Sequence, residues 1–104
     1  MTNAVLVLTT FPLAADMANL ARTLISERLA ACVTVTAPVR STYRWKEAVE
    51  EANERQVVIK TTAERVGDLE LRLRELHSYE VPEFVVLEIS QGSDTYLKWI
   101  QESA

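Results

Sequence analysis

A chain of 104 residues, 48% apolar and 25% charged, has room for one hydrophobic core and the make-up of an ordinary globular domain. We therefore read residues 1–104 as a single domain. A net charge of −4 and a pI near 5.0 give no electrostatic case for binding nucleic acid or an anionic membrane surface. The single cysteine excludes an intrachain disulfide and a cysteine-rich zinc site. The opening run MTNAVLVLTTF lacks a basic n-region and is too short for a signal peptide or a membrane span, so the expected location is cytoplasmic.

The first element, AVLVLTT from Ala4 to Thr10, is continuously apolar and reads as a central strand ended by Pro12. From Ala15 to about Leu29, the helical spacing of Met17, Leu20, Ala21, Leu24 and Ile25 predicts an amphipathic helix. Ala31 to Thr36 alternates β-branched Val and Thr, the pattern of a strand. Pro38 has no N–H to give a ladder, which predicts a bulge or an edge position. Beyond it Val39, Ser41, Tyr43 and Trp45 share one face, and Arg40, Thr42 and Arg44 the other.

The segment Lys46 to Gln56 carries conflicting signals. Its Lys, Glu and Ala favour helix, but Ala48, Val49 and Ala52 would give such a helix a poor apolar stripe. A hairpin turn near Glu47 and a polar return strand leading into Val57–Lys60 fit better, making one long β-hairpin. Thr61 to Glu64 fits a capping box for a second helix, whose core face is Val66, Leu69, Leu73 and Leu76. Pro82 prevents its continuation, Glu83 to Ser90 reads as a strand, and Ser93 or Asp94 can cap a short last helix. The order β-α-β-β-α-β plus a terminal helix is the ferredoxin-like α+β pattern, with both helices on one face of an antiparallel sheet. That fold hosts many activities and specifies none.

His77, the sole histidine, has two readings: a metal ligand with Glu80 nearby, or a side chain interacting with the last carbonyls of the second helix. Cys32 reads as a small buried hydrophobe, with no partner that would activate its thiol. Tyr43 and Trp45 fit a subunit interface or a ligand platform, and a pocket at an interface would serve both. Lys60 and Glu80 could supply its polar groups, alongside Glu50 and Glu51. No phosphate-binding glycine loop, catalytic carboxylate pair or Ser-His-Asp set is present in the sequence.

Six stretches together resemble one family, the CutA divalent cation tolerance proteins. They are VLTTFP (7–12), SERLAACVTV (26–35), STYRWKEAVEE (41–51), VVIKTTAER (57–65), LRELHSYEVPE (73–83) and YLKWI (96–100). The resemblance implies a ferredoxin-like subunit in a homotrimer like that of the PII signalling proteins, with a long hairpin that extends sheets across subunit boundaries. It implies a non-enzymatic role in divalent metal tolerance, with weak binding of Cu(II) or another divalent cation that is not required for folding. The alternative is a PII-like regulator that binds a small polar ligand in inter-subunit clefts.

Carried over by position, the family's H-x-Y-E-x-P motif falls on His77, Tyr79, Glu80 and Pro82, and its Y-x-W on Tyr43 and Trp45. Lys60 takes the place of the lysine in I-K-T, and Cys32 that of the cysteine in L-A-A-C. These matches make His77 and Glu80 the metal candidates and Tyr43, Trp45, Lys60 and Tyr79 the pocket candidates. Three positions depart from the pattern: Thr9 stands where many members have Cys, Leu76 where some have a second His, and Glu47 where Gly is usual. The last predicts a different turn type, since Glu takes positive φ less readily than Gly.

Overall fold

The structure, a computed structural model, describes residues 2–104. Strand β1 (Ala4–Pro12) leads to helix α1 (Met17–Ser26), strands β2 (Cys32–Val35), β3 (Val39–Trp45) and β4 (Ala48–Thr62), helix α2 (Val66–Leu76), strand β5 (Val85–Glu88) and helix α3 (Asp94–Ser103). The fold is α+β, with one antiparallel sheet ordered β2-β4-β1-β5 and β3 paired to the outer half of β4.

One face of the sheet is covered. Val5, Val7 and Phe11 of β1 alternate along the strand and meet Val57 and Ile59 of β4, and Leu20 and Leu24 of α1 and Leu69 and Leu73 of α2 close over them. This is the helix–sheet core that the apolar spacing predicted. The opposite face carries Leu6, Leu8, Val58 and Lys60, which pair with Leu87, Val85, Thr34 and Cys32, and is only partly covered. Helix α3 touches it through buried Ile100 but leaves Tyr96 and Trp99 exposed.

Helix α1 begins at Asp16, whose carboxylate accepts from the Asn19 N–H at 3.0 Å, and it ends earlier than expected. Arg28 turns left-handed (φ 57°), with Arg28 N–H donating to the Ile25 carbonyl and Leu29 N–H to that of Leu24. That is a Schellman stop, with Arg where Gly is usual. The Arg28 guanidinium then reaches the carbonyls of Glu102 and Ala104, at 3.1 and 3.5 Å, and ties the end of α3 to the end of α1.

Two expectations need correction. The capping box at Thr61–Glu64 does not form: the Thr61 hydroxyl donates to the Leu29 carbonyl, and Glu64 accepts two bonds from the Asn3 amide. A short 3-10 turn over Ala63–Arg65 starts α2 instead, without a side-chain cap. The fourth predicted strand is also shorter than Glu83–Ser90, because only Val85–Glu88 finds a partner in β1.

Lys46 to Gln56 is strand, apart from a two-residue turn at Lys46 and Glu47. Both turn residues have positive φ, 49° and 68°, the signature of a type I′ hairpin, although neither is Gly. At Pro38 the register shifts: Val35 faces Val57, but Val39, four residues on, faces Glu54, only three residues back. The extra residue is a bulge, as the proline predicted. Thr36 bridges it, donating its backbone N–H to the Gln56 carbonyl and accepting the Gln56 N–H on its hydroxyl. Beyond this point β3 and the outer half of β4 project as a two-stranded arm, and the chain spans 44 × 27 × 24 Å.

Candidate functional site

The motif residues gather where the arm leaves the body. His77 ends α2 with an extended backbone (φ −92°, ψ 142°), which turns its ring back over Phe11 at 4.0 Å between centroids. Its Nε2 lies 2.6 Å from the Thr10 carbonyl, and its Nδ1 lies 3.1 Å from the Tyr79 backbone N–H. Nδ1 therefore accepts and Nε2–H donates, which fixes the neutral Nε2–H tautomer. Neither ring nitrogen is left free, and the carbonyl that His77 engages belongs to β1 rather than to its own helix.

Tyr79 follows, with its ring 4.6 Å from the imidazole. Its hydroxyl donates to Glu54 Oε2 at 2.9 Å. Glu54 is only 5% exposed, an unusual place for a carboxylate, and this bond gives it a partner. Burial, with the hydrogen bond to Glu54 and its charge in support, pushes the Tyr79 phenol up to about 12. Tyr43 on the arm is near enough for its charge to add, as the smallest contribution, to the same upward shift. Glu80 points outward and pairs with Lys46 of the hairpin turn at 3.8 Å, while Lys46 lies over the half-buried Trp45 ring at 5.5 Å. Gln56 donates to the Thr9 carbonyl and to Glu83, fastening the end of the loop. A cleft of about 380 Å³ opens between this loop and α2, lined by Glu70, Leu73, Arg74 and the stretch Tyr79–Phe84.

Lys60 and Cys32 stand elsewhere. They face each other in register at the far end of β4. The Lys60 ammonium donates to the Tyr96 hydroxyl at 2.9 Å and sits 5.2 Å from that ring, and the same hydrogen bond raises its pKa. Cys32, half-buried, has its Sγ 3.8 Å from the Thr34 hydroxyl. Lys60 is ten positions along β4 from Glu50, the partner of Tyr43, or about 33 Å of strand. Within one chain, Tyr43, Tyr79 and His77 come together, Trp45 and Glu80 join through Lys46, and Lys60 and Cys32 do not.

As a metal site, one chain offers one imidazole with both nitrogens engaged and one ion-paired carboxylate. No group of three His, Cys, Asp or Glu side chains is clustered for a metal among the described residues. This donor set does not fit a tight site, because a structural or copper-binding centre needs several unengaged nitrogen or sulfur ligands. Thr9 and Leu76 cannot make up the number. Thr9 is fully buried, its hydroxyl has no partner, and Leu76 packs against the core.

Sequence reasoning missed Glu54, Phe11 and Tyr96. Glu54 sits in a run of polar residues whose pattern marks none of them as buried. Only the register, with Pro12 on one side and Val39 on the other, places it inside. Tyr96 was legible only as the first residue of the YLKWI stretch, not as the partner of Lys60.

The sequence profile of the family described as CutA1 divalent ion tolerance protein matches residues 5–103. A divalent-cation tolerance protein CutA from Thermus thermophilus is 40% identical over 97 residues, covering 93% of this chain and 94% of that protein. Among solved structures, CutA1 from Shewanella sp. SIB1 superposes with a TM-score of 0.92 at 32% identity, covering 99% of this chain and 96% of that one. The periplasmic divalent cation tolerance protein CutA from Archaeoglobus fulgidus gives 0.90 at 28% identity, over 96% and 97% of the two chains.

Proposed function

Because this chain belongs to the CutA1 divalent ion tolerance family, we propose that it serves divalent-cation tolerance as a non-enzymatic homotrimer of ferredoxin-like subunits. The observation that carries the reading is the match over residues 5–103, joined to a sheet that leaves one face open. Val85, Leu87, Tyr96 and Trp99 on or beside that face, and Tyr43 on the arm, are each more than a third exposed in the single chain. Apolar and aromatic groups in such numbers suit a subunit contact. A cytoplasmic location belongs to the same proposal. No helix among the described residues is long and apolar enough to cross a membrane.

Metal binding on this reading is weak. A copper(II) ion at His77 would have to displace either the Tyr79 N–H from Nδ1 or the Thr10 carbonyl from Nε2, and it would compete with Lys46 for Glu80. Titration of the metal-free protein with Cu(II) tests this, alongside His77→Ala, with light scattering on the same samples. The expected result is a trimer that binds copper weakly and loses affinity in the variant. Equal affinity in both proteins removes His77 from the site, and a stable monomer at micromolar concentration overturns the assembly.

The PII-like alternative rests on a different observation. Lys60 presents a cation beside two exposed aromatics, Tyr96 and Trp99, far from Tyr43 and Tyr79 of its own chain. A pocket uniting Tyr43, Trp45, Lys60 and Tyr79 would need two subunits. Thermal-shift screening against small polar metabolites distinguishes it, through a stabilised hit that Lys60→Ala abolishes.

A further inference from the structure

The arm, residues 39–53, leaves the body at a single level, and Glu54 marks that level. On one side Glu54 is the last β4 residue with a partner in β1, opposite Pro12; on the other it is the first with a partner in β3, opposite Val39. Up to Glu54 the strand is paired with β1 throughout, and from Lys60 to Gln56 also with β2 and Thr36. Beyond Glu54 β4 has one neighbour in the chain, and that neighbour follows a bulge, where the strand bends and its twist increases. Two side-chain bonds reach this region from the segment that follows α2. Tyr79 donates to Glu54 itself, and Glu80 pairs with Lys46 at the tip. Among the described residues no other side-chain hydrogen bond or ion pair links residues 39–54 to the segment 77–84.

The two links are unequal. Lys46 and Glu80 are each 72% exposed and 3.8 Å apart, a geometry that contributes little. The Tyr79–Glu54 bond, at 2.9 Å, is a direct O–H···O contact closed over a buried carboxylate, which has more to lose if left without a partner. Tyr79 is in turn held by its own N–H on His77, whose ring is stacked on Phe11 in the core and bonded to Thr10. We propose that the Tyr79–Glu54 hydrogen bond is a clasp that fixes the root of the arm to the body, so that the segment His77–Phe84 sets how the arm is held. The chain of contacts runs from the core through Phe11, His77 and Tyr79 to Glu54. The same segment lines the cleft beside α2, so cleft and arm share one structural element. This role needs no metal ion, and its contacts all lie within one chain.

Residue-resolved hydrogen exchange on the intact protein tests the clasp with Tyr79→Phe, Glu54→Ala and the double variant. Each single substitution should speed exchange of the arm amides about tenfold and leave those of Val7 and Ile59 unchanged, with no further gain in the double variant. Lys46→Ala should change arm exchange by no more than about twofold. If Tyr79→Phe fails to fold because the Glu54 carboxylate is left buried and unpaired, Glu54→Ala, which removes that charge, carries the test. Faster exchange confined to residues 78–84 would overturn the proposal, and so would a uniform rise that includes Val7 and Ile59. Additive effects in the double variant would overturn it too, since both substitutions break the same bond.

Discussion

Strand β4 belongs to two regions that are stabilised by different means. From Glu54 to Thr62 it pairs with β1, and over Val57–Lys60 with β2 as well, and Val57, Ile59 and Thr61 are wholly buried under the helices. From Ala48 to Asn53 it pairs only with β3, and no residue there is buried. The backbone is the same extended ladder throughout. In the body it is held by apolar burial at roughly 25 cal/mol per Å². In the arm it is held by cross-strand bonds and by pairs such as Arg40–Glu51, 3.2 Å apart and more than half exposed, which contribute little each. Residues with helical preference can therefore occupy a strand in the arm, because ladder pairing, not packing, decides its conformation.

The largest test of this contrast is one truncation at each end of the strand. Ile59→Ala empties a fully buried position and should lower unfolding stability by about 2–5 kcal/mol. Val49→Ala, at an exposed arm position, should stay within about 0.5 kcal/mol. Denaturant midpoints measure both. Comparable losses would mean that the arm is packed against something that a single chain does not provide.

A smaller effect probes a polar defect in the middle of β1. Thr9 lies between Val7 and Phe11 along β1, fully buried, and its hydroxyl has no partner. Thr9→Val keeps the shape and removes the unsatisfied group, so stability should rise by about 1 kcal/mol. A loss instead would show that the hydroxyl is satisfied by a buried water.

The elements of the body were legible because burial writes a period into the sequence. Leu20 and Leu24, Leu69 and Leu73, and the alternating valines all fall where their spacing places them. What could not be read there depended on pairing. The helix-like Lys46–Gln56 became strand through its ladder with β3 and, from Glu54 on, with β1. Thr61 and Glu64 had the letters of a capping box, but distant partners, Leu29 and Asn3, took both side chains. The candidate site was legible in part for the same reason. The motif around His77 is contiguous in sequence, whereas its partners Phe11, Thr10 and Glu54 come from two other strands that only the sheet register brings together.

The smallest effect concerns the tip of the arm, where two non-glycine residues hold positive φ. A left-handed conformation costs such a residue about 1–2 kcal/mol. Gly removes that cost but orders a more flexible unfolded chain, which returns about 0.5–1 kcal/mol. Glu47→Gly should therefore stabilise the turn by roughly 0.5 kcal/mol, the difference between these terms. Where that gain is measured matters as much as its size. An arm that frays without unfolding the body would place the gain in slower amide exchange of residues 42–51, with the global denaturant midpoint unmoved. A shift in the midpoint that matches the exchange would show arm and body unfolding as one unit. The difference in their stabilisation would then be one of mechanism and not of cooperativity.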